Sequence, residues 1–165
     1  MDASTDGIGL VGNPTQVQRV SDTELRVIRR FAAPARLVYK AWTTPALFVR
    51  WWMPSSLGIA ILSCDMDVRT GGGYRLAFGD DAASAFVVHG RYLEVVPNQR
   101  IVWTNEEEAD GAVTTVTFEE ADGQTLLTYR DVYPSKAALE TSRGAEEGLP
   151  EQFAQLDALL TAVET

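Results

Sequence analysis

Apolar and polar residues alternate through much of the chain, and this alternation predicts a series of β-strands. Within residues 23–32 the apolar Leu25, Val27 and Phe31 lie between charged residues. A period of two is typical of a strand with one buried face. In one alternative this first strand extends back through Val17. The same pattern predicts six further strands, at residues 59–68, 74–78, 85–96, 101–105, 113–119 and 125–132.

A helical spacing interrupts the strands once, between the first and the second. After Pro34, the apolar residues of segment 37–42 lie on one helical face. Thr44 and Pro45 are then typical of the start of a second helix, with Thr as the N-cap and Pro as the first helical residue. We therefore expect two short helices here, the second reaching to about Trp51.

The last part of the chain predicts a long amphipathic helix. Pro150 interrupts the pattern, so we expect a kink or a new helix start there. Gly144 and Gly148 are one turn apart and either leave room for another group or belong to a frayed helix start. The apolar stripe of this helix contains Phe153, Leu156, Leu159 and Leu160.

Together these elements predict an α+β fold. Short turns, such as Asp122-Gly123, join the last six strands, which favours an antiparallel meander. A sheet of this size must bury one face, and the final helix is its only large amphipathic cover. We expect a curved antiparallel sheet of about seven strands wrapped around that helix, with a cleft between them. We expect residues 1–14 to form a flexible tail and residues 15–165 to form a single domain.

Composition and charge exclude several classes of function. The formal net charge of −9 disfavours binding to nucleic acid. No apolar run approaches the length of a membrane span, and the acidic N-terminus lacks the features of a secretory signal, so a cytoplasmic protein is expected. The run from Gly71 to Gly73 leads into a strand and not into a helix, which argues against phosphate binding. Neither a metal nor a cofactor is expected.

The richest aromatic segment of the chain is residues 37–54. It contains Trp42, Phe48, Trp51 and Trp52 within eleven residues. Such large side chains are stable only against an extensive apolar surface, so this segment is expected to form one wall of the cleft. Adjacent helical residues point about 100° apart. We expect Trp52 to face the cavity, and Trp51 to anchor the helix to the sheet.

Polar candidates for a site lie on two strands. Tyr129 and Asp131 share a face with the core residue Leu127, which predicts that both point into the cavity. Asp131 is expected either to bind a ligand or to form an ion pair with Arg91. His89, the only histidine, is either a hydrogen-bonding group of the cavity or a structural residue. The other expected ligand contacts are Trp52, Met53, Phe78, Trp103, Phe118, Gly148 and Phe153.

Four blocks of sequence resemble a known superfamily. They are FAAPARLVYKAWTTPALFVRWWMP at 31–54, GRYLEVVPNQRIVWTN at 90–105, VTFEEADGQTLLTY at 116–129 and EEGLPEQFAQLDALL at 146–160. In this order and spacing they resemble the START-like (SRPBCC, birch-pollen-allergen-like) superfamily, and within it the family homologous to the chaperone ATPase activators. The resemblance implies a helix-grip fold. It also implies a cavity, which the superfamily uses for lipids, polyketides, hormones and drugs.

Two positions depart from this resemblance. Met53 stands where relatives often have Gly, which places a flexible thioether beside the Trp pair. Pro150 stands inside the usual closing helix. Both departures lie in segments that are expected to border the cavity.

Three hypotheses for function follow. The first is binding of a small hydrophobic or aromatic molecule, without intrinsic catalysis and without insertion into a membrane. The second is a cyclase-like or hydrolase-like enzyme acting on a polyketide-type substrate, with His89, Tyr129 and Asp131 as acid–base groups. The third is a chaperone-interacting module. A homodimer is left open under all three.

Overall fold

The computed structural model describes residues 15–164, except for the side chains of residues 143–146 and 163–164. In chain order its strands are β1 (Gln16–Arg19), β2 (Glu24–Phe31), β3 (Ile61–Met66), β4 (Gly73–Phe78), β5 (Phe86–Val96), β6 (Arg100–Thr104), β7 (Val113–Ala121) and β8 (Gln124–Val132). Its helices are α1 (Ala35–Thr43), α2 (Pro45–Phe48), α3 (Lys136–Thr141) and α4 (Arg143–Glu164). The expected α+β helix-grip fold is confirmed.

All strands of the described chain belong to one antiparallel sheet. Their order is β1-β2-β8-β7-β6-β5-β4-β3. The sheet has eight strands where about seven were predicted, because residues 16–19 form a separate strand that pairs with β2. Bulges interrupt the register of β3 and of β5, and bulges increase the bend and twist of a sheet. The tail predicted at residues 1–14 lies outside the described residues.

The two short helices lie where the sequence predicts them, but the second is shorter. It ends at Phe48 and not near Trp51. The backbone N–H groups of Trp51 and Trp52 both donate to the Phe48 carbonyl, at 3.3 Å and 3.1 Å, so the chain closes into a turn. Thr44 occupies the N-cap position, but its side chain makes no capping hydrogen bond.

Helix α4 continues through Pro150, so the prediction of a new start at this residue is wrong. A proline inside a helix costs about 3 kcal/mol, through a lost hydrogen bond and a steric clash. Leu149 and Phe153, on either side of it, are buried in the core between helix and sheet. Burying two such side chains contributes about 1.5–3 kcal/mol each, which is enough to offset the proline.

Gly90 of β5 lies close to the backbone at the end of β6. A Cβ atom at this position would be 1.9 Å from the Thr104 carbonyl oxygen and 2.8 Å from Cε1 of Tyr74. Gly90→Ala is therefore expected to lower the free energy of unfolding by about 1–3 kcal/mol, as overpacking does. Urea denaturation would measure this loss.

Gly148→Ala is the matched control for this substitution. Its added Cβ would meet its nearest neighbour, Cγ of Pro54, at an ordinary 3.5 Å. Alanine in a helix is about 1 kcal/mol more favourable than glycine, so this variant is expected to gain stability. Equal stability of Gly90→Ala and the native protein would contradict the close approach.

Candidate functional site

An apolar cavity of about 780 Å³ lies between the sheet and the helical segments. Small-molecule sites typically occupy about 300–1,000 Å³. The strands β3, β4, β5, β6 and β8 contribute side chains to its wall, and so do all four helices. Leu57, Ile59 and Phe86 line the cavity and are also exposed to solvent, so they mark its mouth.

Aromatic rings form much of the cavity wall. Trp42 is central, because its ring lies within 6.4 Å of the rings of Trp103 and Tyr129 on the sheet and of Phe48 and Trp52 near the mouth. Trp52 stacks on Phe48 at 4.9 Å between ring centroids. The wall therefore presents flat apolar surfaces that suit an aromatic ligand.

The two adjacent tryptophans take different positions. Trp52 lines the cavity and is partly buried, whereas Trp51 is fully buried outside the lining. The indole N–H of Trp51 donates to the Ala41 carbonyl at 3.0 Å. Its ring packs on Trp42, Phe48 and Phe153, which belong to helices. Trp51 thus joins α1 to α4, and its expected anchoring to the sheet stays a prediction.

Side chains of α4 hold the segment that borders the mouth, residues 51–56. Gln155 donates to the carbonyls of Trp51 and Met53 at 2.9 Å and 3.0 Å, and it accepts from the Ser55 N–H at 2.8 Å. Glu151 accepts from the hydroxyl and the N–H of Ser56 at 2.6 Å and 2.9 Å. A further hydrogen bond joins the Gln152 amide to the carbonyl of Trp52. These contacts fix the wall that Trp52 and Met53 provide.

The polar part of the cavity is centred on Asp131. This carboxylate is 7% exposed and accepts a hydrogen bond from the Thr114 hydroxyl at 2.5 Å. It also accepts from the phenols of Tyr129 and Tyr133. Asn105 extends the network by donating to Thr114 at 2.9 Å. The side chains that take part in this network with Asp131 are all neutral.

The environment shifts the titration of this cluster. Burial raises the pKa of Asp131 from 3.8 to about 6, although the hydrogen bonds from Thr114, Tyr129 and Tyr133 oppose the rise. Burial and then the negative charge of Asp131 raise the pKa of Tyr129. Burial and then the charge of Glu107, among other groups, raise the pKa of Tyr74. At neutral pH the phenols are thus uncharged and Asp131 is largely ionised.

The structure places His89 outside the cavity. On β5 the residues Phe86, Val88 and Tyr92 line the cavity, so the alternation turns His89 and Arg91 to the opposite face of the sheet. There His89 borders a separate open depression of the outer surface. The bulge in β5 lies between Tyr92 and Glu94, beyond these residues, and leaves their alternation intact.

Arg91 does not pair with Asp131. Its Nε lies 2.7 Å from a carboxylate oxygen of Glu106 on the outer face. The predicted ion pair between Arg91 and Asp131 is therefore wrong, because the two side chains lie on opposite faces of the sheet.

Phe118 and Phe153 are also placed outside the cavity lining. Phe118 points to the inner face but packs against Tyr39 of α1, at 5.7 Å between ring centroids. Phe153 is fully buried against Phe31 at 6.1 Å. Phe118 lies in the closed core that helix α1 covers, and Phe153 lies in the core between α4 and the sheet.

Seven of the ten residues expected to contact a ligand line the cavity, and their contact with a ligand stays a prediction. They are Trp52, Met53, Phe78, Trp103, Tyr129, Asp131 and Gly148. The surroundings of Gly144 lie outside the described side chains.

Sequence reasoning missed the partner of Asp131. Thr114 faces Asp131 directly across the β7–β8 pair. The signal for this pair is present in the sequence. The turn Asp122-Gly123 pairs Ala121 with Gln124, and counting outward from that pair brings Thr114 opposite Asp131.

The part of the chain that the structure describes contains neither a candidate metal-binding cluster nor a membrane-spanning helix. It contains no group of three or more His, Cys, Asp or Glu side chains that could hold a metal ion. Among the same residues, no helix is long and apolar enough to cross a membrane.

Comparisons with known proteins agree with this architecture. The family described as "Activator of Hsp90 ATPase homolog 1-like protein" matches residues 32–161. A crystal structure of a Rhodobacter sphaeroides protein has a TM-score of 0.80 at 23% identity and covers 90% of this chain and 98% of its own. One from Mycobacterium smegmatis has a TM-score of 0.77 at 26% identity and covers 91% and 99%. One from Nitrosomonas europaea has a TM-score of 0.77 at 23% identity and covers 88% and 99%. No curated protein matches the sequence significantly.

Proposed function

Because the chain belongs to the family of activator of Hsp90 ATPase homolog 1-like proteins, and because its fold encloses an apolar cavity, we propose that it binds a small hydrophobic or aromatic molecule there without catalysis of its own. The family match and the fold confirm the START-like resemblance of the sequence. The cavity of about 780 Å³ is the observation that carries the proposal. We also propose a cytoplasmic location.

The energetics of the cavity support an apolar ligand. Transfer of apolar surface out of water contributes about 25 cal/mol per Å². An aromatic ligand between Trp52, Trp103 and Tyr129 would bury both of its faces against rings that the fold already holds in place. A preformed wall reduces the entropy lost on binding.

The positions of the candidate acid–base groups argue against catalysis. Tyr129 and Asp131 share the cavity, but His89 lies on the outer face of the sheet. A catalytic set must converge on one reacting atom. The three residues of the enzyme hypothesis do not converge, so that hypothesis is dropped.

The name of the family raises chaperone activation as another function. Activation of a chaperone would require a protein-binding surface, and the interior cavity does not supply one. Recovery of a chaperone in a pull-down, together with a rise in its ATPase rate, would replace our proposal. Size-exclusion chromatography of the same sample would show whether the chain forms a homodimer.

Cavity filling provides a direct test. Val88 lines the cavity, so Val88→Trp is expected to occupy ligand space. We expect the native protein to bind the neutral fluorophore 1-pyrenemethanol, and Val88→Trp to weaken that binding about tenfold or more, which corresponds to a loss of about 1.4 kcal/mol. Fluorescence titration measures both affinities.

Val87→Trp is the matched control. Val87 is the neighbouring residue on β5 and lies outside the cavity lining, so the same ring is added to the opposite face of the sheet. This variant is expected to retain the native affinity. Equal loss of binding in both variants, or no binding by the native protein, would contradict a ligand site in the cavity. Thermal unfolding verifies that both variants are folded.

A further inference from the structure

The charged residues that line the cavity are all acidic. They are Asp80, Glu107, Glu108, Asp110 and Asp131. Among the side chains that the structure describes, no lysine, arginine or histidine joins them in the lining. The chain as a whole contains 14 Lys and Arg against 23 Asp and Glu, so the imbalance of the cavity exceeds that of the sequence. A ligand in this cavity therefore experiences a negative potential.

Among these acidic residues, Asp131 is the buried one. The groups that face Asp131 are Thr114 on β7, Tyr129 on β8, Tyr133 after β8 and Tyr74 on β4, and all are neutral. Glu106 and Glu107, the nearby charged residues that act on Tyr74, have the same sign as Asp131. Burying a carboxylate is costly unless a positive charge compensates it. No described protein side chain supplies that charge.

Aromatic rings surround the same end of the cavity. Trp103 and Tyr129 are 6.4 Å apart between centroids and nearly perpendicular, and the phenol of Tyr129 is hydrogen-bonded to Asp131. The faces of aromatic rings attract cations, most strongly where water is excluded. A carboxylate beside two rings is a suitable receptor for an ammonium group.

We propose that the ligand is a cationic aromatic molecule, an amine or a quaternary ammonium compound, whose charge lies at Asp131 beside the rings of Tyr129 and Trp103 and whose apolar body fills the rest of the cavity. This inference rests on the proposed function. It excludes fatty acids and other anionic lipids as the preferred ligands, because the acidic lining repels a carboxylate. The acidic residues at the mouth, Glu107, Glu108 and Asp110, attract the cation before it enters.

Three pyrene derivatives with the same aromatic body test the charge. At pH 7.5 and 0.15 M salt we expect 1-pyrenemethylamine to bind about tenfold to a hundredfold more tightly than 1-pyrenemethanol, as a charge-assisted contact allows. We expect 1-pyrenecarboxylic acid to bind more weakly than the alcohol. Asp131→Asn is expected to reduce the advantage of the amine over the alcohol to about threefold or less.

Asp65→Asn is the matched control, since it changes the net charge equally. Asp65 is exposed on β3 and lies outside the cavity lining. This variant is expected to keep the full preference for the amine. A loss of the preference in Asp65→Asn would show that the overall charge of the protein, and not the cavity, attracts the probe.

Two further measurements keep the proposal testable if Asp131→Asn does not fold. In the native protein the affinity for the amine is expected to weaken as the pH falls from 7 to 5, while the affinity for the alcohol stays constant, because Asp131 becomes protonated. The triple variant Glu107→Gln, Glu108→Gln, Asp110→Asn is expected to lower the affinity for the amine and its dependence on salt. Binding of the alcohol with no preference for the amine would overturn this inference and leave the proposed function intact. Binding of none of the three probes would overturn the proposed function itself.

Discussion

Trp51→Ala is expected to lower the free energy of unfolding by about 3–5 kcal/mol, the range typical of truncating a large buried aromatic residue. The ring is fully buried and its N–H is hydrogen-bonded to Ala41, so the truncation leaves both a cavity and an unpaired carbonyl. Trp52→Ala is expected to cost less, because Trp52 is only partly buried and borders the ligand cavity. Urea denaturation of the two variants measures the difference.

The expected effects of the two substitutions on ligand affinity have the opposite order, with the larger effect in Trp52→Ala. Trp52→Ala is expected to weaken binding of 1-pyrenemethanol, since the ring that stacks on Phe48 forms part of the cavity wall. Trp51→Ala, where it remains folded, is expected to change that affinity less. Equal losses of stability in the two variants, with affinity unchanged in Trp52→Ala, would show that the assignment of wall and anchor is wrong.

The difference in unfolding free energy between the native protein and Asp131→Asn is expected to fall by about 3 kcal/mol as the pH rises from about 3 to about 7. The folded state holds a proton on Asp131 up to a pKa of about 6, whereas the ordinary pKa is 3.8. Between these values the folded state binds more protons than the unfolded state, so stability decreases with rising pH. The rise in pKa corresponds to about 3 kcal/mol. Urea denaturation at a series of pH values provides the measurement.

The comparison with a variant is needed because other carboxylates titrate in the same range. Glu106 and Glu151 have lowered pKa values, through hydrogen bonds with Thr104 and Ser56 respectively, and their contribution to stability is lost as the pH falls. The contributions of Glu106 and Glu151 are the same in the native protein and in the variant, so they cancel when the two unfolding free energies are subtracted. A flat difference for Asp131→Asn would mean that folding does not change the pKa of Asp131.

The fold could be predicted almost entirely from the sequence, because it depends on periodicity and on turn residues. Alternation placed the strands, and the stripe of Phe153, Leu156 and Leu160 identified the covering helix. The same reasoning placed Tyr129 and Asp131 on the inner face of β8, where the structure has them. It failed on the boundary of α2, since a turn of two or three residues leaves no periodic signal.

The division between cavity and core could not be predicted in this way. Periodicity shows which face of a strand a residue occupies, but not what lies opposite it in space. Phe118 and Trp103 both point inward, but only Trp103 lines the cavity, whereas Phe118 packs against Tyr39 in the closed core. His89 shows a second limit of periodicity. The alternation does not reveal where a β-bulge lies, and a bulge at Gly90 would have placed the His89 side chain on the other face of the sheet; the bulge lies between Tyr92 and Glu94 instead. Only the packed arrangement of helices over strands settles such positions.

Within the described chain, each hydrogen bond that joins residues 51–56 to α4 involves a side chain of Glu151, Gln152 or Gln155. Separation of residues 52–56 from the helix therefore requires no strand to unpair and can leave the buried ring of Trp51 in place. Local openings of this kind cost less free energy than global unfolding and occur more often. The residence time of a bound molecule should then follow the lifetime of these polar contacts, and substitutions at Gln155 should change the dissociation rate while the half-life of the folded protein stays nearly the same.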